Sequence, residues 1–253
     1  VTFAIEFPPL PHIVRWPIIF GGDTFGVNKV VIIYAIAAIL SILVLALGNK
    51  KQLVPTGSQN LAEIAVEFIE DGIVMDTIGE RGRKYAPLLL SLFLFIFFCN
   101  IFEIIPVFQM PATARIALPM TLALLAYVIY HGAGFKEHGP FGYLKHALVP
   151  PGLPFALYFL VVPIEFISKF IVQPFSHTVR LFANLLAGHI LLVTFATLSS
   201  ALWIAKPYAV IFPLPVAGVI AFTAFELLVS FLQAYVFTLL AGVYIGSAIS
   251  HEH

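Results

Sequence analysis

Two apolar stretches in the C-terminal half constrain this chain more than any other feature. Residues 155–204 run for 50 residues with only Glu165, Lys169 and Arg180 charged, and residues 216–249 run for 34 with only Glu226 charged. As single helices rising ~1.5 Å per residue they reach about 75 and 50 Å, against ~30 Å of bilayer hydrocarbon. They must tilt steeply, kink or break, and Pro163 and Pro174 are the kink points available in the first. Composition points the same way. The chain is 60% apolar and 10% charged, where a soluble domain carries roughly 25% charge. A soluble protein of this size has too little core to hide so much apolar surface. The net charge is zero, so no nucleic-acid partner is expected.

Three shorter apolar runs, 30–47, 86–102 and 116–130, bring the expected membrane helices to about five, within a single membrane domain over 1–253. Residues 1–29, rich in proline, read as an outer N-terminal segment and not as a signal peptide. Residues 60–80 read as an amphipathic surface helix, with Glu63, Glu67, Glu70 and Asp71 opposite Leu61, Ile64, Ala65 and Phe68. Residues 132–150 read as a long loop without a role. Lys206-Pro207 and Pro213-Leu214-Pro215 mark a turn between the two long helices, making 155–249 a tilted hairpin. Lys50, Lys51, Arg81, Arg83, Lys84, Lys136 and Lys145 fall on one side, against Arg15, Lys29, Arg115 and Lys206 on the other. The positive-inside rule then puts the N-terminus outside and His251-Glu252-His253 in the cytoplasm. Cys99, the only cysteine, reads as a buried small hydrophobe.

Ionisable groups inside membrane helices cost roughly 2.5–3.5 kcal/mol each on insertion scales, so they face protein or a water-filled path. Arg180 is the deepest. Its guanidinium is never deprotonated, so it cannot relay protons; it can act as a fixed charge that draws a carboxylate into its ionised form. Pairing with Glu165 or with a carbonyl is the purely structural reading. At ~100° per residue, Gln173, Ser176, His177, Arg180 and Asn184 share one face, and His189 lies opposite Arg180. In the last helix Thr223, Glu226, Ser230 and Gln233 form a polar stripe, for which helix-packing glue is the plain alternative. Folding the two helices about Pro207 sets His189 level with Glu226, and Arg180 level with Gln233. A His–Glu pair in a polar cavity passes protons near neutral pH. Glu165 and Lys169, spaced i, i+4, form a favourable helical pair; they read either as structural or as the lining of an inner path. Asn100 and Glu103, near the outer end of the second run, read as interface anchors or as members of the outer path. No cofactor or metal is expected, because His177 and His189 diverge by about 120° in phase.

Arg180-Leu181-Phe182-Ala183-Asn184, Ala187-Gly188-His189, Glu226 with Gln233, and Asn100-Ile101-Phe102-Glu103-Ile104-Ile105-Pro106 together resemble subunit a of F-type ATP synthases from residue 30 onward. The resemblance implies a non-catalytic, proton-translocating stator subunit in a bacterial plasma membrane. It implies two offset half-channels separated by Arg180, which faces the carboxylates of a rotating c-subunit ring. Asn184, His189, Glu226 and Gln233 would serve the outer half-channel, and b subunits of a peripheral stalk would be neighbours. This chain departs from the family pattern in places. His189 and Glu226 exchange the residue types that some bacterial members carry. Ala183 stands where many have glycine. Glu165 lies nine residues before Pro174, where many members have a glutamate eight before, a slip that turns its side chain.

Two other classes fit parts of the sequence. A self-contained proton-coupled transporter also places His, Glu and Arg at mid-membrane, but it calls for repeated halves, which the sequence lacks. An intramembrane enzyme calls for a motif such as His-Glu-x-x-His or Gly-x-Ser-x-Gly, and neither occurs.

Overall fold

Lipid offers the backbone no hydrogen-bonding partner, so a spanning segment of this kind folds as a helix. The computed structural model describes residues 18–21, 26–47, 57–105, 112–149, 154–204 and 210–250. The proline-rich opening, Lys50, Lys51, Pro106, the turn at Lys206-Pro207 and the terminal His251-Glu252-His253 lie outside the described residues. Five helices are long and apolar enough to cross a membrane, and the chain is an all-α integral membrane protein. A small ribbon precedes them: β1 (Ile18–Phe20) pairs antiparallel with β2 (Val27–Asn28).

Helix α1 (Lys29–Leu47) begins where the Asn28 side-chain oxygen accepts from the backbone N–H of Val30 and of Val31, both at 3.1 Å, as an N-cap does. It packs through Val30, Ile33 and Ala37 on Cys99 and Phe102 at the end of α3 (Ala86–Ile101). Helix α7 (Pro213–Ile249) is the hub and touches α3, α4 (Ala117–Leu148) and α6 (Gln173–Ile204). Leu89, Phe93 and Ile96 of α3 meet Leu122 and Ala126 of α4, Leu181 and Leu185 of α6, and Ala234, Phe237, Ala241 and Ile245 of α7 in one core. Pro213-Leu214-Pro215, read as part of the turn, forms the first turn of α7 instead, where a missing N–H has no cost.

The surface helix is α2 (Ser58–Ile69), continued by a π-helical turn (Glu70–Met75) and a 3₁₀ turn (Glu80–Tyr85). Its buried side differs from the expected stripe. Ala62, Ile69, Ile73 and Val74 enter the core, whereas Leu61 and Ile64 stay exposed. The buried positions Gln59, Ala62, Ile69 and Ile73 recur at helical spacing, so the inward face is turned by about one residue from the apolar stripe.

Two further corrections concern the longer elements. Residues 132–149, read as a loop because Lys136 and Glu137 interrupt the apolar run, are mostly helical and belong to α4. The chain breaks only at Gly139 (φ 71, ψ 165), followed by Pro140. This break folds the second arm back: the Tyr143 hydroxyl lies 2.8 Å from His131 Nδ1, although twelve helical residues would span about 18 Å. The long 155–204 element does not break. It runs as α5 (Phe155–Ile167), a π turn (Ser168–Val172) and α6. Pro174 has no N–H to donate and its ring crowds the preceding turn; the wider π turn relieves that crowding. The same turn changes the helical phase between Glu165 and Pro174.

Gly139 has a backbone conformation close to glycine-only, worth about 1–3 kcal/mol to a residue with a Cβ. Gly139→Ala is therefore expected to lower the thermal midpoint in detergent by several degrees. An unchanged midpoint would show that the break is not held at this φ.

Candidate functional site

Hydroxyls along the membrane helices are mostly consumed locally. Ser91, Thr194, Thr223 and Thr238 donate to the carbonyls four residues back, at 2.6–2.8 Å. Thr223 thereby leaves the polar stripe read from the sequence. The remaining polar groups gather in two clusters, one on each side of Arg180 along the long helix.

The outer cluster joins three helices. From α3 come Asn100 and, just beyond its end, Glu103; from α6 comes His189; from α7 come Glu226, Ser230 and Gln233. All are buried: Asn100 and Ser230 at 0% exposure, Glu226 at 2% and Glu103 at 3%. The Asn100 amide donates to the Ser230 carbonyl at 3.4 Å and its oxygen accepts from the Thr113 hydroxyl at 2.7 Å. Thr113 sits in a 3₁₀ turn (Ala112–Ala114) and is a member that the sequence did not reveal; a lone threonine carries no signal. The His189 partner also differs from the expected one. Its Nδ1 lies 3.3 Å from Glu103 Oε1, and among the described residues no ion pair joins it to Glu226. Depth matching about Pro207 is off by a single residue, since the Glu226 carboxylate lies against Gly188. What two helices alone cannot foresee is the third, α3, which delivers Glu103 between them. Glu103 and Glu226 are near enough to repel when both are ionised.

Gly188 makes that approach possible: a Cβ there would fall on the Glu226 carboxylate. A glycine in mid-helix costs about 1 kcal/mol relative to alanine, which was the available hint of a close contact. Three polar atoms of the cluster, Glu103 Oε2, Glu226 Oε2 and Ser230 Oγ, are buried without a hydrogen-bond partner among the described residues. Buried polar atoms are normally satisfied by protein or by water, so these three suit a hydrated passage.

The inner cluster surrounds the π turn. Glu165 Oε2 and Lys169 Nζ are 3.3 Å apart and half-buried, and Lys169 Nζ also donates to the Ala147 carbonyl at 2.6 Å. The Tyr130 hydroxyl lies 3.3 Å from both the Lys169 carbonyl and Gln173 Oε1. Tyr130, Lys169 and Gln173 border a cavity of ≈ 30 Å³ with Tyr143, His146, Tyr244 and Ser247. His177, expected on the Arg180 face, is buried against the Phe237 ring with centroids 3.9 Å apart.

Arg180 belongs to neither cluster. It lies midway along the 47-residue span Leu157–Trp203 and is exposed on the outside of the bundle. Lys169 is eleven residues before it and His189 nine after, about 16 and 14 Å along the axis. Ala183, Asn184 and Ala187 continue its exposed face, while Leu181, Leu185, Gly188 and His189 turn inward. Among the described residues Arg180 makes no ion pair or hydrogen bond, so pairing with Glu165 and contact with Gln233 are both absent there. Among the described residues no cluster of three or more His, Cys, Asp or Glu side chains could hold a metal.

Sequence comparisons identify the family. Residues 30–246 match the family described as ATP synthase A chain. ATP synthase subunit a of Rhodococcus erythropolis is 41% identical over 254 residues, covering 98% of this chain and 89% of that protein. The Frankia alni subunit a is 41% identical over 236 residues (92% and 81%), and that of a Nocardioides species 38% over 259 (97% and 94%). With five membrane-crossing helices and a match over most of its length, this chain belongs to the ATP synthase subunit a family.

Proposed function

We propose that this chain is the proton-translocating stator subunit of a bacterial F-type ATP synthase, with two half-channels offset across Arg180. The observation that carries the reading is an arginine at mid-membrane, exposed on this chain and without a carboxylate of its own. A permanent charge in lipid is costly, so that face calls for a partner that brings anions to it. Ala183 and Ala187 beside it let another helix approach closely, as the carboxylate-bearing helices of a rotating c ring would. Protons enter from outside through Glu103, His189 and Glu226, with Asn100, Asn184, Ser230 and Gln233 alongside. A ring carboxylate collects each proton and travels round, because the guanidinium of Arg180 blocks direct passage. Glu165, Lys169 and Gln173 border the inner exit. Each charge moved gains ~2.3 kcal/mol per 100 mV. The b subunits of the peripheral stalk hold the chain still, with its N-terminus outside and its C-terminus in the cytoplasm.

Three outcomes test this reading. Arg180→Ala is expected to reduce proton-driven ATP synthesis in membrane vesicles to background; normal synthesis would refute the fixed-charge role. Gly188→Ala places a methyl group on the Glu226 carboxylate, an overpacking of about 1–3 kcal/mol, and is expected to lower synthesis. Adding Glu226→Asp, one methylene shorter, is expected to restore part of it, and no recovery would contradict the contact. A double-mutant cycle on synthesis rate is expected to show stronger coupling between His189 and Glu103 than between His189 and Glu226; the reverse order would restore the pairing read from helix depth.

A further inference from the structure

The second arm of α4 has no part in the path drawn above, yet it brings two histidines into contact. His138 and His146 lie on either side of the Gly139 break, and their rings stack with centroids 4.9 Å apart and planes 17° from parallel. Eight residues of unbroken helix would separate them by about 12 Å, so the contact is a product of the fold. His146 is half-buried. Its Nε2 lies 3.3 Å from the Ser247 carbonyl near the end of α7, and its ring borders the same ≈ 30 Å³ cavity as Tyr130, Lys169, Gln173 and Tyr244. A cavity of that volume holds a water molecule, with enough polar partners to keep it.

We propose that the stacked His138–His146 pair is the port through which protons pass between the inner cavity and the aqueous phase. The inference rests on the inner path proposed above and adds its terminal carrier. With Nε2–H donating to the Ser247 carbonyl, Nδ1 is the basic nitrogen of His146. It takes a proton from water in the cavity and returns one to water at the surface. Among the described residues, the other titratable and charged groups around it come from three elements. On α4 itself these are Tyr130, His131, Lys136, Tyr143, Lys145 and Glu137, the last 3.9 Å from Arg81 of the 3₁₀ turn. The π turn contributes Lys169, held by Glu165, and α7 contributes Tyr244.

The test measures passive proton flux through vesicles carrying the whole complex, with assembly checked by subunit content. His146→Gln retains an N–H for the Ser247 carbonyl but does not titrate. It is expected to lower flux by about tenfold or more and to flatten its dependence on the pH of the Lys136–Lys145 side between about pH 5.5 and 7.5. His146→Ala is expected to lose flux likewise and to regain it when imidazole is added on that side. Wild-type flux and pH profile in an assembled His146→Gln complex would overturn the port, as would failure of imidazole to restore His146→Ala. Arg180→Ala, measured for ATP synthesis in parallel, separates the two proposals. Loss of synthesis there beside a silent His146 overturns the port alone, and undiminished synthesis there overturns the proton path itself.

Discussion

A guanidinium that keeps its charge sits halfway along a 47-residue apolar helix, on the outside of the bundle. Every other feature of the polar architecture is arranged around that constraint. A charge of this kind is normally turned inward and paired, and this chain has the means to do so in Glu103, Glu165 and Glu226. None of them is brought to Arg180. Two are gathered on the far side of α6 with His189, and the third is held by Lys169. The helix thus carries opposite chemistry on two faces: titratable groups packed within the chain, and a fixed charge flanked by small residues facing away from it.

Helix α7 makes this separation possible. It packs on α3, α4 and α6 and brings Glu226, Ser230 and Gln233 to the outer cluster while Phe237 buries His177 below them. Close approach at Gly188 lets the Glu226 carboxylate lie against the α6 backbone. On the other side of Arg180, the π turn at Ser168–Val172 and the folded-back arm of α4 enclose a small polar cavity. Interactions in such low-dielectric surroundings are stronger than in water, so the placement of single groups there weighs heavily on how protons move.

Much of this was legible in the sequence. Apolar run lengths located all five spanning helices, because hydrocarbon thickness admits few alternatives. Helical phase put Arg180 and His189 on opposite faces, since nine residues at ~100° amount to half a turn beyond whole turns. Three things were not legible. The His189–Glu103 contact joins helices 86 residues apart in sequence, and depth matching within one hairpin contains no information about a third helix. The π turn at Ser168–Val172 leaves no mark in hydropathy, yet it shifts helical phase between Glu165 and Pro174. The second arm of α4 was hidden because Lys136 and Glu137 look like a loop, although charged side chains are ordinary at a helix end in the interface.

The central claim is that the Arg180 face is covered by a carboxylate-bearing helix of another subunit. Disulfide cross-linking tests it most directly: Ala187→Cys in a Cys99→Ala background, combined with cysteines scanned along the acidic helix of the ring subunit, and Phe159→Cys on the exposed side of α5 as control. The account predicts rapid cross-linking from Ala187→Cys to a few ring positions, and none from the control. Absence of any product from Ala187→Cys in an assembled, active complex would contradict it.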